Sequence, residues 1–170
     1  SLIKVISLGN VKYIFVSRQE NAYLIPIDSD RQFGLPIILS CPRVLSIAVG
    51  DVNGNGLEDI VLASRERSGN KQVSWIYWGD STGYNEKKRT PLETLWACDV
   101  VLGDLDKDGR DEVIFCQMGT ETLFTSESYI YQVNEKGLVK EPLKLVSHDA
   151  RRSFLLKSPH ELQILIVNNR

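Results

Sequence analysis

Histidine is scarce in this sequence: only His148 and His160 occur among 170 residues, and neither sits in an H-E-x-x-H arrangement. A G-x-S-x-G elbow is also missing, so the local signatures of zinc peptidases and α/β-hydrolases are both absent. No apolar stretch approaches the ~20 residues needed to span a bilayer, and no membrane insertion is expected. The charged n-region and small-residue cleavage site of a signal peptide are missing as well. The chain opens on a strand-like run, Leu2 to Ile6, without a preceding Met. That end reads as a processing or cloning boundary and carries no information about secretion. An excess of one charge sign is lacking too: 20 basic residues stand against 22 acidic ones, for a net charge of −2. Without long like-charge blocks the electrostatic footprint of a nucleic-acid binder is absent, and no such partner is expected. The short basic run Lys87, Lys88, Arg89 reads as a solvated loop.

Cysteine is sparse and odd in number. Cys41, Cys98 and Cys116 lack the C-x-x-C spacing of a zinc site, and at least one must stay unpaired within the chain. Cys98 and Cys116 flank one loop at similar distances and can oppose each other across a hairpin. Buried thiols in neighbouring strands are the plainer reading.

What is present is a core-forming composition and a repeat. With 42% hydrophobic residues the chain can bury a real core, and its length suggests one domain. Residues 46–63, SIAVGDVNGNGLEDIVLA, lie over residues 99–116, DVVLGDLDKDGRDEVIFC, at an offset of 53 (104 − 51). Gly50 falls on Gly103, Asp51 on Asp104 and Gly56 on Gly109, and the apolar positions around them match as well. Both copies read strand, polar loop, strand. A second element recurs: Trp75, Ile76, Tyr77 and a turn ending at Gly83 return as Tyr129, Ile130, Tyr131 and a turn ending at Gly137. A fainter version runs from Tyr23, Leu24 and Ile25 to Gly34. Aromatic and β-branched runs broken by Gly, Asn, Asp and Ser are strand and hairpin chemistry, and no helical period is sustained.

Two degenerate copies complete the pattern. Leu2 to Ser17 turns at Gly9-Asn10, and Ser153 to Asn168 carries Lys157-Ser158-Pro159-His160 in place of the acidic loop. The expected fold is all-β: four-stranded antiparallel blades of a β-propeller, about three to three and a half of them, with approximate repeats at 1–42, 43–95, 96–148 and 149–170. Propellers close with ~4 to 8 blades. The chain is therefore expected to be a piece of a larger propeller, with assembly of several chains, or sheets stacked without closure, as the alternatives.

The polar loops have the chemistry of calcium sites. In the first, Asp51, Asn53 and Asn55 alternate, Gly56 permits a sharp turn, and Asp59 returns a carboxylate at position 9. Calcium takes six to eight oxygen ligands at ~2.3 to 2.6 Å, and such a loop offers side chains from positions 1, 3, 5 and 9 with a carbonyl from position 7, here Leu57. The second loop repeats this with Asp104, Asp106, Asp108, the carbonyl of Arg110, and Glu112. Two of the first loop's four side-chain ligands are carboxylates, against all four in the second, so the second is expected to hold calcium more tightly. Asp111, beside the ligands, is expected to face outward. An EF-hand would need Glu at position 12, where Leu62 and Phe115 stand, and flanking helices. Plain Asn-Gly and Asp-Gly hairpin turns explain one copy but not two in register, each with an acid at position 9.

The strings GDVNGNGLEDIVLA and GDLDKDGRDEVIF resemble the calcium-loop cores of FG-GAP and VCBS repeats, the blades of integrin α-subunit-like propellers. WIYWGDSTGY resembles the outer part of a VCBS-type blade. The resemblance is strong over residues 43–140 and weak at both ends. It implies that the metal loops stiffen one face while ligands meet the opposite face, and that the chain works outside the cytoplasm, at the cell surface or in a periplasm.

The resulting expectation is a non-catalytic calcium-stabilised module that binds a protein or carbohydrate ligand in adhesion, with Trp78 and Tyr84 as exposed aromatics able to stack on a sugar. Trp75 and Trp78 occupy opposite faces of one strand by parity, so at least one belongs to blade packing. The alternative is the propeller portion of a polysaccharide lyase or other carbohydrate-active enzyme. For that the chain offers only His148-Asp149 beside Arg151-Arg152, which a surface loop between blades explains as well.

Overall fold

The computed structural model describes residues 1–68, 71–119, 125–134, 136–137, 139–158 and 161–168, the side chains of 67, 68, 71 and 125 apart. Pro159 and His160, named above in the last turn, lie outside the described residues. Among the described residues the chain forms fourteen strands. They are β1 (Ile3–Leu8), β2 (Val11–Arg18), β3 (Asn21–Ile27), β4 (Ile37–Leu39), β5 (Val44–Gly50), β6 (Asp59–Ser68) and β7 (Lys71–Tyr77). There follow β8 (Arg89–Thr94), β9 (Ala97–Gly103), β10 (Glu112–Gln117), β11 (Thr125–Tyr131), β12 (Leu143–His148), β13 (Ala150–Lys157) and β14 (Leu162–Asn168).

Each strand pairs antiparallel with its chain neighbour, giving three four-stranded sheets, β1–β4, β5–β8 and β9–β12, and a two-stranded one, β13–β14. This is the all-β, blade-like architecture expected from the repeat. The hairpin turns carry the chemistry they need: Gly9, Gly83 and Gly137 all adopt positive φ, which glycine takes without steric cost.

The second strand of each central sheet is buried on both faces, and its sequence is accordingly a continuous apolar run rather than an alternating one. On β6, Ile60 and Leu62 pack toward the first sheet with Phe15, Leu24, Leu39 and Tyr77. Val61 and Ala63 point the other way, into a cluster with Val100, Val113, Phe115 and Tyr131 of the third sheet. Each Val, Ile, Leu or Phe side chain among them, taken fully out of water, contributes about 1.5–3 kcal/mol. The inner strands β5, β9 and β13 are also laced together by Asp99. Its buried carboxylate accepts from Ser46 Oγ at 2.7 Å on one side and from the Ser153 amide at 2.9 Å on the other.

The cysteines are free thiols, Cys41 and Cys116 fully buried. Cys98 lies near Cys116 but directs its thiol to the Ala150 carbonyl at 3.1 Å. Trp75 and Trp78 are both half-buried and held in place. The first carries Arg89 stacked 3.9 Å from its ring centroid, and the second donates its indole N–H to Thr90 Oγ1 at 2.9 Å. Tyr84 is tied down by its hydroxyl, which donates to the Glu58 carbonyl at 2.7 Å. These rings serve blade packing.

Candidate metal centre

Both polar loops sit at the same end of their sheets, between β5 and β6 and between β9 and β10. They fold alike because the same short side chains capture the same amides. In the first loop Asp51 accepts from the backbone N–H groups of Gly54, Asn55 and Gly56 at 2.7–3.0 Å. Asn53 accepts from Asn55 at 3.0 Å and Asn55 from Leu57 at 2.8 Å. In the second loop Asp104 accepts from Asp108 and Gly109, Asp106 from Asp108, and Asp108 from Arg110, at 3.0–3.2 Å. Local side-chain-to-backbone bonds of this kind bend the chain tightly and aim successive oxygens inward. Gly56 and Gly109, at φ of 80° and 87°, supply the left-handed turn that a side chain resists.

The position-9 acids close the loops. Asp59 is wholly buried, with Oδ2 accepting from the Val52 amide at 3.0 Å and Oδ1 from the Gly79 amide at 2.9 Å. Glu112, 4% exposed, accepts from the Leu105 amide at 2.8 Å. Burial pushes the Asp59 carboxyl up to about 6, above what its amide donors can offset, and raises Glu112 for the same reason.

Asp104, Asp106 and Asp108 bring one carboxylate oxygen each within 4.8 Å of one another, a group able to hold a metal ion. Three converging carboxylates suit a hard cation with oxygen ligands. In the first loop Asn stands at positions 3 and 5, so Asp51 and Asp59 are its only carboxylate donors among the expected ligands. Leu57 and Arg110 occupy position 7 of their loops, Leu57 exposed and Arg110 folded across the site. A cleft of about 600 Å³, bounded by Leu102, Asp104, Lys107, Asp111, Leu155 and Leu162, leaves the second loop open to solvent ions.

Two neighbours of the triad were not anticipated from the sequence. The Arg110 guanidinium pairs with Asp108 Oδ2, and Gln132 Nε2 donates to Asp106 Oδ2 at 3.1 Å. Both partners neutralise or occupy oxygens that a cation would use.

Asp111 does not face outward. It is half-buried against the preceding sheet, its amide donating to the Asp51 carbonyl at 2.9 Å. The equivalent residue one repeat earlier, Glu58, reaches back in the same sense: its Oε2 accepts from the Gly9 amide at 2.5 Å. Position 8 of each loop thus clasps the first hairpin of the sheet before it. Glu58 and Asp111 stand in register at the same 53-residue offset (111 − 58), a signal present in the sequence but overshadowed by the ligand pattern.

Residues 51–115 match the model of the FG-GAP-like repeat, so this segment, which begins at the first residue of one loop and runs through the whole of the other, carries an FG-GAP-like repeat. No curated protein matches the chain.

Proposed function

We propose that this chain is a calcium-stabilised β-propeller module that binds a protein or glycan in adhesion and performs no chemistry of its own. The observation that carries the reading is the Asp104, Asp106, Asp108 triad, held in a loop that the chain builds twice in the same hydrogen-bonded form. Calcium fits this donor set because it accepts many oxygens in flexible geometry, whereas magnesium demands a near-ideal octahedron. Its role is structural: each loop joins the first two strands of its central sheet, and the second touches the preceding sheet through Asp111, so an ion there stiffens the blade and its junction together.

We place the chain at the cell surface or in a periplasm, where free calcium is high enough to fill open, solvent-facing loops of weak affinity. The burial of Cys41 and Cys116 is compatible with an oxidising compartment, since buried thiols are inert. A screen against immobilised glycans and cell-surface protein fractions, run with calcium and with chelator, tests the reading. Binding that is lost with chelator is expected. Turnover of a polysaccharide by the chain itself would overturn it in favour of a carbohydrate-active enzyme.

A further inference from the structure

The end of the sheets opposite the metal loops carries a repeated feature of its own. Arg43, Trp96 and Asp149 follow one another at 53-residue spacing (96 − 43 and 149 − 96). All three adopt left-handed backbone, at φ of 54°, 55° and 50°. For a non-glycine residue this costs on the order of 1 kcal/mol and is kept only where the surroundings enforce it. Two residues further on, each inner strand shifts register against its partner, leaving Leu45, Cys98 and Arg151 as the extra residues. Such bulges re-aim side chains and gather beside functional sites.

At the middle of this rim Trp96 is 38% exposed and its neighbour Leu95 52%. The Arg65 guanidinium lies 5.2 Å from the Trp96 ring centroid, with Nη2 2.8 Å from the Met118 sulfur. Arg151 Nη1 meets the same sulfur at 3.3 Å while Nη2 pairs with Asp149 at 2.8 Å. A thioether is a weak acceptor. Arg65 forms no ion pair among the described residues, and its Nε is buried without a hydrogen-bond partner. Two guanidinium groups therefore converge on one sulfur beside an exposed indole, with only Arg151 matched by a carboxylate.

We propose that Arg65, Trp96 and Arg151 form a docking site for an acidic peptide segment of a protein partner. The guanidinium N–H groups not directed at Met118 or Asp149 take a carboxylate, and an apolar side chain next to it rests on Trp96 and Leu95. The net charge of −2 gives no long-range field for a polyanion, and the apolar platform beside the cations favours a peptide over nucleic acid. The inference rests on reading the chain as a binding module but not on the metal.

The test is selection of displayed heptapeptides on the full chain. One library carries Asp or Glu with one Leu or Phe, and a matched library carries Asn or Gln at the acidic positions. Acidic peptides are expected to be enriched, and Arg65→Gln and Arg151→Gln are each expected to weaken the selected peptide about tenfold while leaving calcium binding unchanged. Arg65→Lys, which keeps the charge but loses the fork, should recover part of that loss. Equal enrichment of both libraries overturns the proposal, as does an unchanged affinity in Arg65→Gln that melts like wild type. So does heparin or RNA outcompeting the peptides. Should Arg65→Gln fail to fold, the salt dependence of the wild-type complex decides: an affinity that does not fall between about 50 and 300 mM salt overturns the site. Peptide binding without any calcium effect would remove the metal from the account and keep this site. A partner whose binding ignores all three substitutions would do the reverse.

Discussion

Asp111 closes over Gly50: its Oδ2 stands 2.1 Å from where a β-carbon on Gly50 would sit. The glycine is thus a socket for the acid that clasps one sheet to the next. The equivalent glycine of the following repeat, Gly103, is roofed by Leu155 and Leu162 of the last hairpin instead. Where the acidic loop is lost, leucine fills the same seat.

Gly50→Ala is therefore expected to destabilise the fold by about 1–3 kcal/mol, since Asp111 must leave its seat or the sheets must part. Gly79→Ala should cost more, because its new carbon would lie 2.1 Å from the Glu58 carbonyl oxygen, a backbone atom that cannot swing aside. Urea unfolding of both variants checks the order, and a Gly79→Ala protein as stable as wild type would contradict it.

Arg110 pairs with Asp108 and would compete there with the calcium ion we propose. Its guanidinium is partly exposed, so the pair is worth about 0.2–1 kcal/mol. Arg110→Gln should raise calcium affinity about two- to fivefold, read by titration calorimetry. Weaker binding in this variant would mean that the guanidinium orients the loop rather than obstructing it.

Stability of the metal-free protein should respond to pH through Asp59. Its carboxyl is raised from 3.8 to about 6 in the folded state, with burial as the main cause. The folded chain therefore keeps this proton to higher pH than the unfolded chain does. The associated stability is fully present below pH 3.8 and lost as pH rises toward 6. Melting curves in chelator across that window should show a component that Asp59→Asn abolishes.

All three thiols should be unreactive in the folded protein. Burial raises Cys41 and Cys98 to about 12 and Cys116 to about 11, so almost no thiolate forms at pH 8. A disulfide-exchange reagent should label none of them quickly in buffer and all three in denaturant. A Cys98–Cys116 disulfide on mass analysis would contradict the free-thiol assignment.

Much of this was legible in the sequence, because loop and strand chemistry are local. Asp51, Gly56 and Asp59 and their counterparts Asp104, Gly109 and Glu112 declare a loop by residue type and spacing alone. The apolar runs of β6 and β10 declare strands buried on both faces. What the sequence hid depends on neighbours brought together by the fold. Asp111 looked like a solvent-facing residue beside the ligands, since nothing local says that the preceding sheet ends in a glycine socket beneath it. The bulges at Leu45, Cys98 and Arg151 leave no compositional mark, their three side chains having nothing in common. Trp96 in left-handed backbone runs against its own preference, which only tertiary contacts can enforce. Trp78 and Tyr84 looked available for a sugar because turn position suggests exposure, whereas Thr90 and the Glu58 carbonyl hold their polar ends.

We propose that calcium bound in the Asp104 loop stabilises the fold. Thermal melting of the whole chain in chelator and in calcium at about 100 times its dissociation constant tests it most directly. Binding at that ratio adds about 2.7 kcal/mol, which for a chain of this size raises Tm by about 5–10 °C. That shift is expected in wild type, most of it lost in the Asp104→Ala, Asp106→Ala double variant and less of it lost in Asp51→Ala. Superimposable curves with and without calcium, in a protein that elemental analysis finds metal-free, would contradict it.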